Sequence, residues 1–127
     1  AEIVGGNLSV IYSLLGSKSE IDTVGKILFL EDLDEYLYHI DRMVLNLKRN
    51  NKFSQLKGLI VGAMHDMHDN TISFGKSANE IIHEHTKDYN FPTCFNFSAG
   101  HISNNTSLIL GKNSELEINN NNENLHQ

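Results

Sequence analysis

A carboxylate and an imidazole at the ends of two different strands can do hydrolytic chemistry together, and this sequence offers one such pair. Glu31 follows the apolar run at 26–30, and His101 follows the run at 94–97 after the small-residue turn Ala99-Gly100. In open α/β sheets, ligands and reacting side chains collect past strand ends, because the strand fixes the residue and the loop exposes it. A glutamate bonded to an imidazole holds the ring in one tautomer and stabilises the imidazolium. The two together form the base and orienter that activate a serine. Spacing alone leaves a second reading open, in which His101 satisfies a loop carbonyl and Glu31 is solvated.

The other candidates are weaker. Glu31 opens an acidic cluster with Asp32, Asp34 and Glu35 that admits two catalytic carboxylates or a metal site. Asp34 and Glu35 are accounted for as acidic residues at the positive end of a following helix. Glu31 is favoured over Glu35 because it directly follows the strand, with Asp32 in a supporting place beside it. Seven histidines raise the question of a metal. His65 and His68, with Asp66 and Asp69, could hold a divalent ion only if their loop folded on itself; bordering a substrate cleft is the other reading. His83 and His85 flank Glu84, but helix positions two apart point to different faces, and the spacing is not that of a His-Glu-x-x-His pair. No metal and no cofactor is expected. Ser98 is three residues from His101 in one turn, without the elbow and oxyanion donors a nucleophile needs. Arg42 is expected to pair with Asp41 or Asp32, contact with a substrate carboxylate being the alternative.

The elements that must position these residues follow from pattern. The chain has 127 residues, 39% of them hydrophobic, enough for one domain with a real core. Asn7 predicts an N-cap for a helix over 8–15, ended by Gly16 in the left-handed conformation. Continuous apolar residues at 27–30 suit a strand buried on both faces, and helical spacing of Leu37, Ile40, Met43, Val44 and Leu47 predicts a helix over 34–49. A strand at 59–64 leads into a polar loop at 65–70. Ser77 and Glu80 form a capping-box signature for a helix to 87, closed by Asn90 and Pro92. A strand at 94–97 follows, then a closing hairpin of 108–110 with 115–118 around 111–114. The class is α/β with a mixed sheet, since the last pair is joined too tightly for a crossover. The Asn-rich tail at 119–127 is expected to be disordered.

A net charge of −6 without a basic stripe argues against nucleic acid or an anionic membrane as partner. No apolar run approaches the ~20 residues of a membrane span, and the first residues lack the regions of a signal peptide. Cys94 is the only cysteine, which excludes an internal disulfide and fits the cytoplasm. The start at Ala1 is not a methionine, so the natural protein is expected to begin upstream.

An ordered series of motifs adds to this reading. Gly5-Gly6-Asn7-Leu8-Ser9 leads to Leu14-Leu15-Gly16, then Ile27-Leu28-Phe29-Leu30-Glu31-Asp32, Ile40-Asp41-Arg42-Met43 and Phe97-Ser98-Ala99-Gly100-His101, with a small hairpin around Gly111. From Gly5 to Ile118 this resembles the second half of the LD-carboxypeptidase (muramoyltetrapeptide carboxypeptidase) family. The resemblance implies a C-terminal domain of swivelling β/β/α type over 1–118, with about three helices and a closing β-hairpin. It puts the family's triad glutamate on Glu31 and its histidine on His101. It implies a serine in a separate N-terminal domain that this chain lacks, so the isolated chain is expected to be inactive. The implied substrate is a murein peptide, with D-alanine released from murein tetrapeptide in cytoplasmic cell-wall recycling, and a homodimer is a possible assembly. Two departures stand out. The family has proline shortly after the position of Glu35, where this chain reads Tyr36-Leu37, and Ser98 stands where proline is common. Relatives that hydrolyse peptide-nucleotide antibiotics of the microcin C type give an alternative substrate, and a non-catalytic domain needing a second polypeptide is an alternative of another class.

Overall fold

The run Ile27-Leu28-Phe29-Leu30 is apolar at every position because both of its faces are covered. In the computed structural model, which describes residues 1–119 and 122–127, it opens β2 (Ile27–Leu33). β2 lies between β1 (Ile3–Asn7) and β3 (Gly58–His65), and β4 (Thr93–Cys94) follows on β3. All three pairings are parallel. Alternate residues then divide two cores. Leu28, Leu30, Leu59 and Val61 pack with the helices α1 (Leu8–Leu14), α2 (Leu37–Arg49) and α3 (Ala78–Thr86). Ile27, Phe29 and Ile60 pack on the other side with Ile3, Cys94 and Ala99, beneath Phe97, Leu108, Leu116 and Leu125. The last two belong to the antiparallel hairpin of β5 (Glu115–Asn119) and β6 (Asn122–His126). Hairpin, parallel sheet and helices therefore form three successive layers.

The helices arise where the pattern puts them. On α2, Ile40, Met43, Val44 and Leu47 recur at helical spacing and are wholly buried. Burying each such side chain contributes about 1.5–3 kcal/mol. α3 has the expected capping box: Ser77 Oγ accepts from Glu80 N at 3.2 Å, and the Glu80 carboxylate accepts from Ser77 N at 2.7 Å. On α1, Asn7 caps by accepting from Val10 N at 3.1 Å, and Gly16 at φ 80° follows the helix end as expected.

Several expectations need correction. β1 is an extra strand in the stretch read only as a lead into α1. Parallel and antiparallel pairing are both present, but divided between two sheets. The hairpin lies later than expected, because residues 111–113 run along the open edge of β1, where Gly111 N donates to Ile3 O at 2.8 Å and Ile3 N to Lys112 O at 3.1 Å. The tail is not a disordered extension: β6 pairs with β5 and Leu125 packs into the second core, while the tail's residues 120 and 121 lie outside the described residues. α2 starts at Leu37 rather than 34, since Asp34 takes φ 59° and Tyr36 is the N-cap. β4 stops at Cys94, with Asn96 at φ 59° turning the chain away.

Cys94 is fully buried and its thiol donates to the Glu123 carboxylate at 2.8 Å. Burial first, and that carboxylate second, push the thiol up to about 12, so it is a neutral core side chain at neutral pH. Among the described residues no helix is long and apolar enough to cross a membrane.

Candidate active site

Glu31 stands inside β2, not past its end, because pairing with Asn7 on β1 and with Met64 and His65 on β3 carries the strand on to Leu33. Its side chain shares the face of Phe29, away from the helices. Opposite it the ladder is irregular. Leu30 pairs with Val61 but Asp32 pairs with Met64, so Gly62 and Ala63 together face Glu31. Such a bulge bends the strand and re-aims nearby side chains. It also admits a third segment: Ala63 N donates to Ala99 O at 2.8 Å and Phe97 N to Val61 O at 3.0 Å. A Cβ on Gly62 would stand 2.4 Å from Ala99 O, so only glycine allows this approach.

That segment delivers His101. Its Nδ1 lies 2.7 Å from Glu31 Oε2, across 70 residues of sequence. Glu31 is only 6% exposed, whereas the His101 side chain is 53% exposed. A carboxylate acceptor puts the donated hydrogen on Nδ1, and in the neutral ring Nε2 then keeps its lone pair. Among the described residues nothing bonds Nε2, and no hydroxyl or thiol bonds either ring nitrogen. A fixed tautomer with an available Nε2 on an open ring is the arrangement of a general base. The loop beyond closes on itself, Gly100 N donating to Asn105 Oδ1 at 2.9 Å and Thr106 N to Ser98 O at 2.6 Å. Asn105 and the bulge at Gly62-Ala63 escape sequence reasoning, since neither belongs to a recognisable spacing.

Gly100 sits between the two partners at φ 124°, where a Cβ would fall 3.1 Å from Glu31 Oε2 and 3.2 Å from Ala63 Cβ. Gly100→Ala is therefore expected to destabilise the domain by about 1–3 kcal/mol and to pull His101 off Glu31. Urea unfolding gives the first effect, and a change in the His101 ring-nitrogen shifts in NMR gives the second. A variant with both unchanged would contradict this placement.

The neighbouring acidic residues part company. Asp32 points to the helix side, 1% exposed, and accepts from Asn7 Nδ2 at 2.9 Å, Ser9 N at 3.0 Å and Leu33 N at 2.9 Å. Burial holds its carboxyl above the usual aspartate value, with those hydrogen bonds opposing. Asp34 bonds His68, and Glu35 bonds His39 at 2.7 Å, so neither joins Glu31. Arg42 pairs with neither Asp41 nor Asp32 among the described residues. Its guanidinium lies 5.6 Å from the Tyr38 ring centroid, while Asp41 takes His85 at 2.7 Å. The loop histidines find separate partners, His65 near Asp66 at 3.5 Å and His68 on Asp34, and Asp69 accepts from Asn70 N and Phe74 N. Among the described residues no group of three or more His, Cys, Asp or Glu could hold a metal ion.

Comparison with known proteins bears on the chain as a whole. The sequence model of the LD-carboxypeptidase C-terminal domain matches residues 1–116. The probable murein peptide carboxypeptidase of Bacillus subtilis (strain 168) is 36% identical over 110 residues, covering 87% of this chain and 34% of that protein. The microcin C7 self-immunity protein MccF of Escherichia coli is 27% identical over 121 residues, covering 94% of this chain and 35% of that protein. Among solved structures, muramoyltetrapeptide carboxypeptidase from Oxalobacter formigenes shares the fold, with a TM-score of 0.88 over 98% of this chain and 44% of that one at 24% identity. The chain spans about a third of the length of the curated relatives it matches.

Proposed function

The chain belongs to the LD-carboxypeptidase family as its C-terminal domain, and from that premise we propose that it supplies the base and the orienting carboxylate of a serine carboxypeptidase acting on murein peptides. The observation that carries the reading is the 2.7 Å contact between buried Glu31 and open His101. In this scheme a serine hydroxyl, contributed by sequence beyond these residues, approaches His101 Nε2. The base takes its proton as the oxygen attacks the carbonyl of the bond to the terminal D-amino acid. The imidazolium, stabilised by Glu31, then protonates the leaving amine, and a water activated by the same nitrogen releases the acyl group. Support for a serine elsewhere comes from the relatives' length, of which this chain covers about a third.

The test is release of D-alanine from murein tetrapeptide. The complete protein is expected to release it, and the 127 residues alone are not. Release by the isolated chain would sink the claim that the nucleophile lies elsewhere; no release by the complete protein would sink the substrate. A second substrate reading has one observation in its favour, the likeness to MccF over 94% of the chain. Parallel assays on murein tetrapeptide and on a peptidyl-nucleotide of the microcin C type separate the two.

A further inference from the structure

The backbone that carries His101 is tied down on both sides of that residue. Ala99 N donates to Phe97 O at 2.7 Å, Thr106 N to Ser98 O at 2.6 Å, Ala63 N to Ala99 O at 2.8 Å and Ile102 N to Gly100 O at 2.9 Å. Each of these joins backbone to backbone, so an ordinary side-chain substitution leaves it in place. Gly100 N is the exception, donating to Asn105 Oδ1 at 2.9 Å. The Ala99-Gly100 peptide lies one residue ahead of His101, and its carbonyl end is already held on the bulge of β3 through Ala63 N. One bond leaves a peptide free to swing about that bond, and glycine, at φ 124° here, has no side chain to limit the swing. A second bond, at the N–H end, fixes the plane.

That plane bears directly on the contact with Glu31. A Cβ on Gly100 would fall 3.1 Å from Glu31 Oε2, so the backbone at 100 lies against the carboxylate that the ring of the next residue must reach. Tilting the Gly100 peptide displaces the ring from an acceptor only 2.7 Å away. Asn105 is exposed and belongs to neither core, and among the described residues its side chain makes this one hydrogen bond. It therefore does little for the packing of the domain. Resting on the carboxypeptidase reading, we propose that Asn105 is a positioning residue: its side-chain oxygen holds the Gly100 peptide and thereby sets His101 on Glu31 for the reaction.

The experiment compares the complete protein as wild type, Asn105→Ala and Asn105→Asp, the last of which keeps an oxygen acceptor in the same place. Asn105→Ala is expected to lower kcat for D-alanine release from murein tetrapeptide about five- to tenfold, with KM within about twofold, the span of one hydrogen bond expressed as a rate. It should also move the His101 ring-nitrogen shifts, read at a pH where the ring is neutral, while the urea midpoint moves no more than for other surface substitutions. Asn105→Asp is expected to restore most of kcat and to return the ring shifts toward wild type. The assignment is overturned, with the carboxypeptidase left standing, by kcat and ring shifts unmoved in Asn105→Ala or by a loss confined to KM. A kcat loss matched by unfolding, or an Asn105→Asp no better than Asn105→Ala, overturns it equally. A wild type that releases no D-alanine overturns the carboxypeptidase reading instead, and the ring-nitrogen shifts of the three proteins then decide the positioning by themselves.

Discussion

Glu31→Gln is expected to lower kcat of the complete protein about 10⁴-fold, with KM little changed. The substitution keeps the volume of a side chain packed against Gly100, so the fold should hold. What changes is the proton on the ring. The glutamine amide can donate to Nδ1, which moves the imidazole hydrogen to Nε2 and leaves no base facing the proposed serine. In the other amide orientation the tautomer survives, but the imidazolium that forms in the transition state has no charge beside it. Both orientations act on the reacting step and not on substrate binding, hence the split between kcat and KM. Nitrogen shifts of the His101 ring report the tautomer directly. A kcat within tenfold of wild type would show that Glu31 does not orient the base.

Two consecutive carboxylates illustrate how a strand sorts roles. Glu31 and Asp32 are chemically close and both buried, but alternation along β2 sends one to the hairpin side and the other to the helix side. Glu31 meets an imidazole there, and Asp32 meets the donors of Asn7 and Ser9 and ties the start of α1 to the sheet. Neighbourhood, not residue type, separates a candidate orienter from a structural anchor.

Much of this was legible in the sequence, and the exceptions have physical causes. Four continuous apolar residues at 27–30 reveal a strand covered on both faces, and a stripe such as Ile40, Met43, Val44 and Leu47 reveals a helix, because burial demands those periods. The pairing of Glu31 with His101 came from their motifs, since 70 residues separate them and no local pattern expresses the contact. β1 is not legible in the sequence because Gly5 and Gly6 carry no side chain to show alternation. The bulge at Gly62-Ala63 looks like an ordinary strand until its partner's register is known. The hairpin was misplaced because single leucines, Leu116 and Leu125, anchor it within polar sequence whose composition resembles disorder.

His101→Ala should be the most damaging single change, lowering kcat by about 10⁵- to 10⁶-fold, since it removes the proposed base and leaves only binding and whatever oxyanion donors the complete site has. The half-open ring contributes little to the core, but its loss strands a buried carboxylate. The variant is therefore also expected to be less stable by about 1–3 kcal/mol, the range for an acceptor left without its donor. The double variant distinguishes a working pair from two independent contributors. If Glu31 acts only through His101, adding Glu31→Gln to His101→Ala costs almost nothing further in kcat and returns part of the lost stability, because a neutral amide tolerates the empty site better than a charge does. If the two kcat losses multiply instead, Glu31 has a direct part in the reaction, and its role as orienter must be given up. Equilibrium urea curves and single-turnover D-alanine release on the four proteins of this cycle decide between these outcomes.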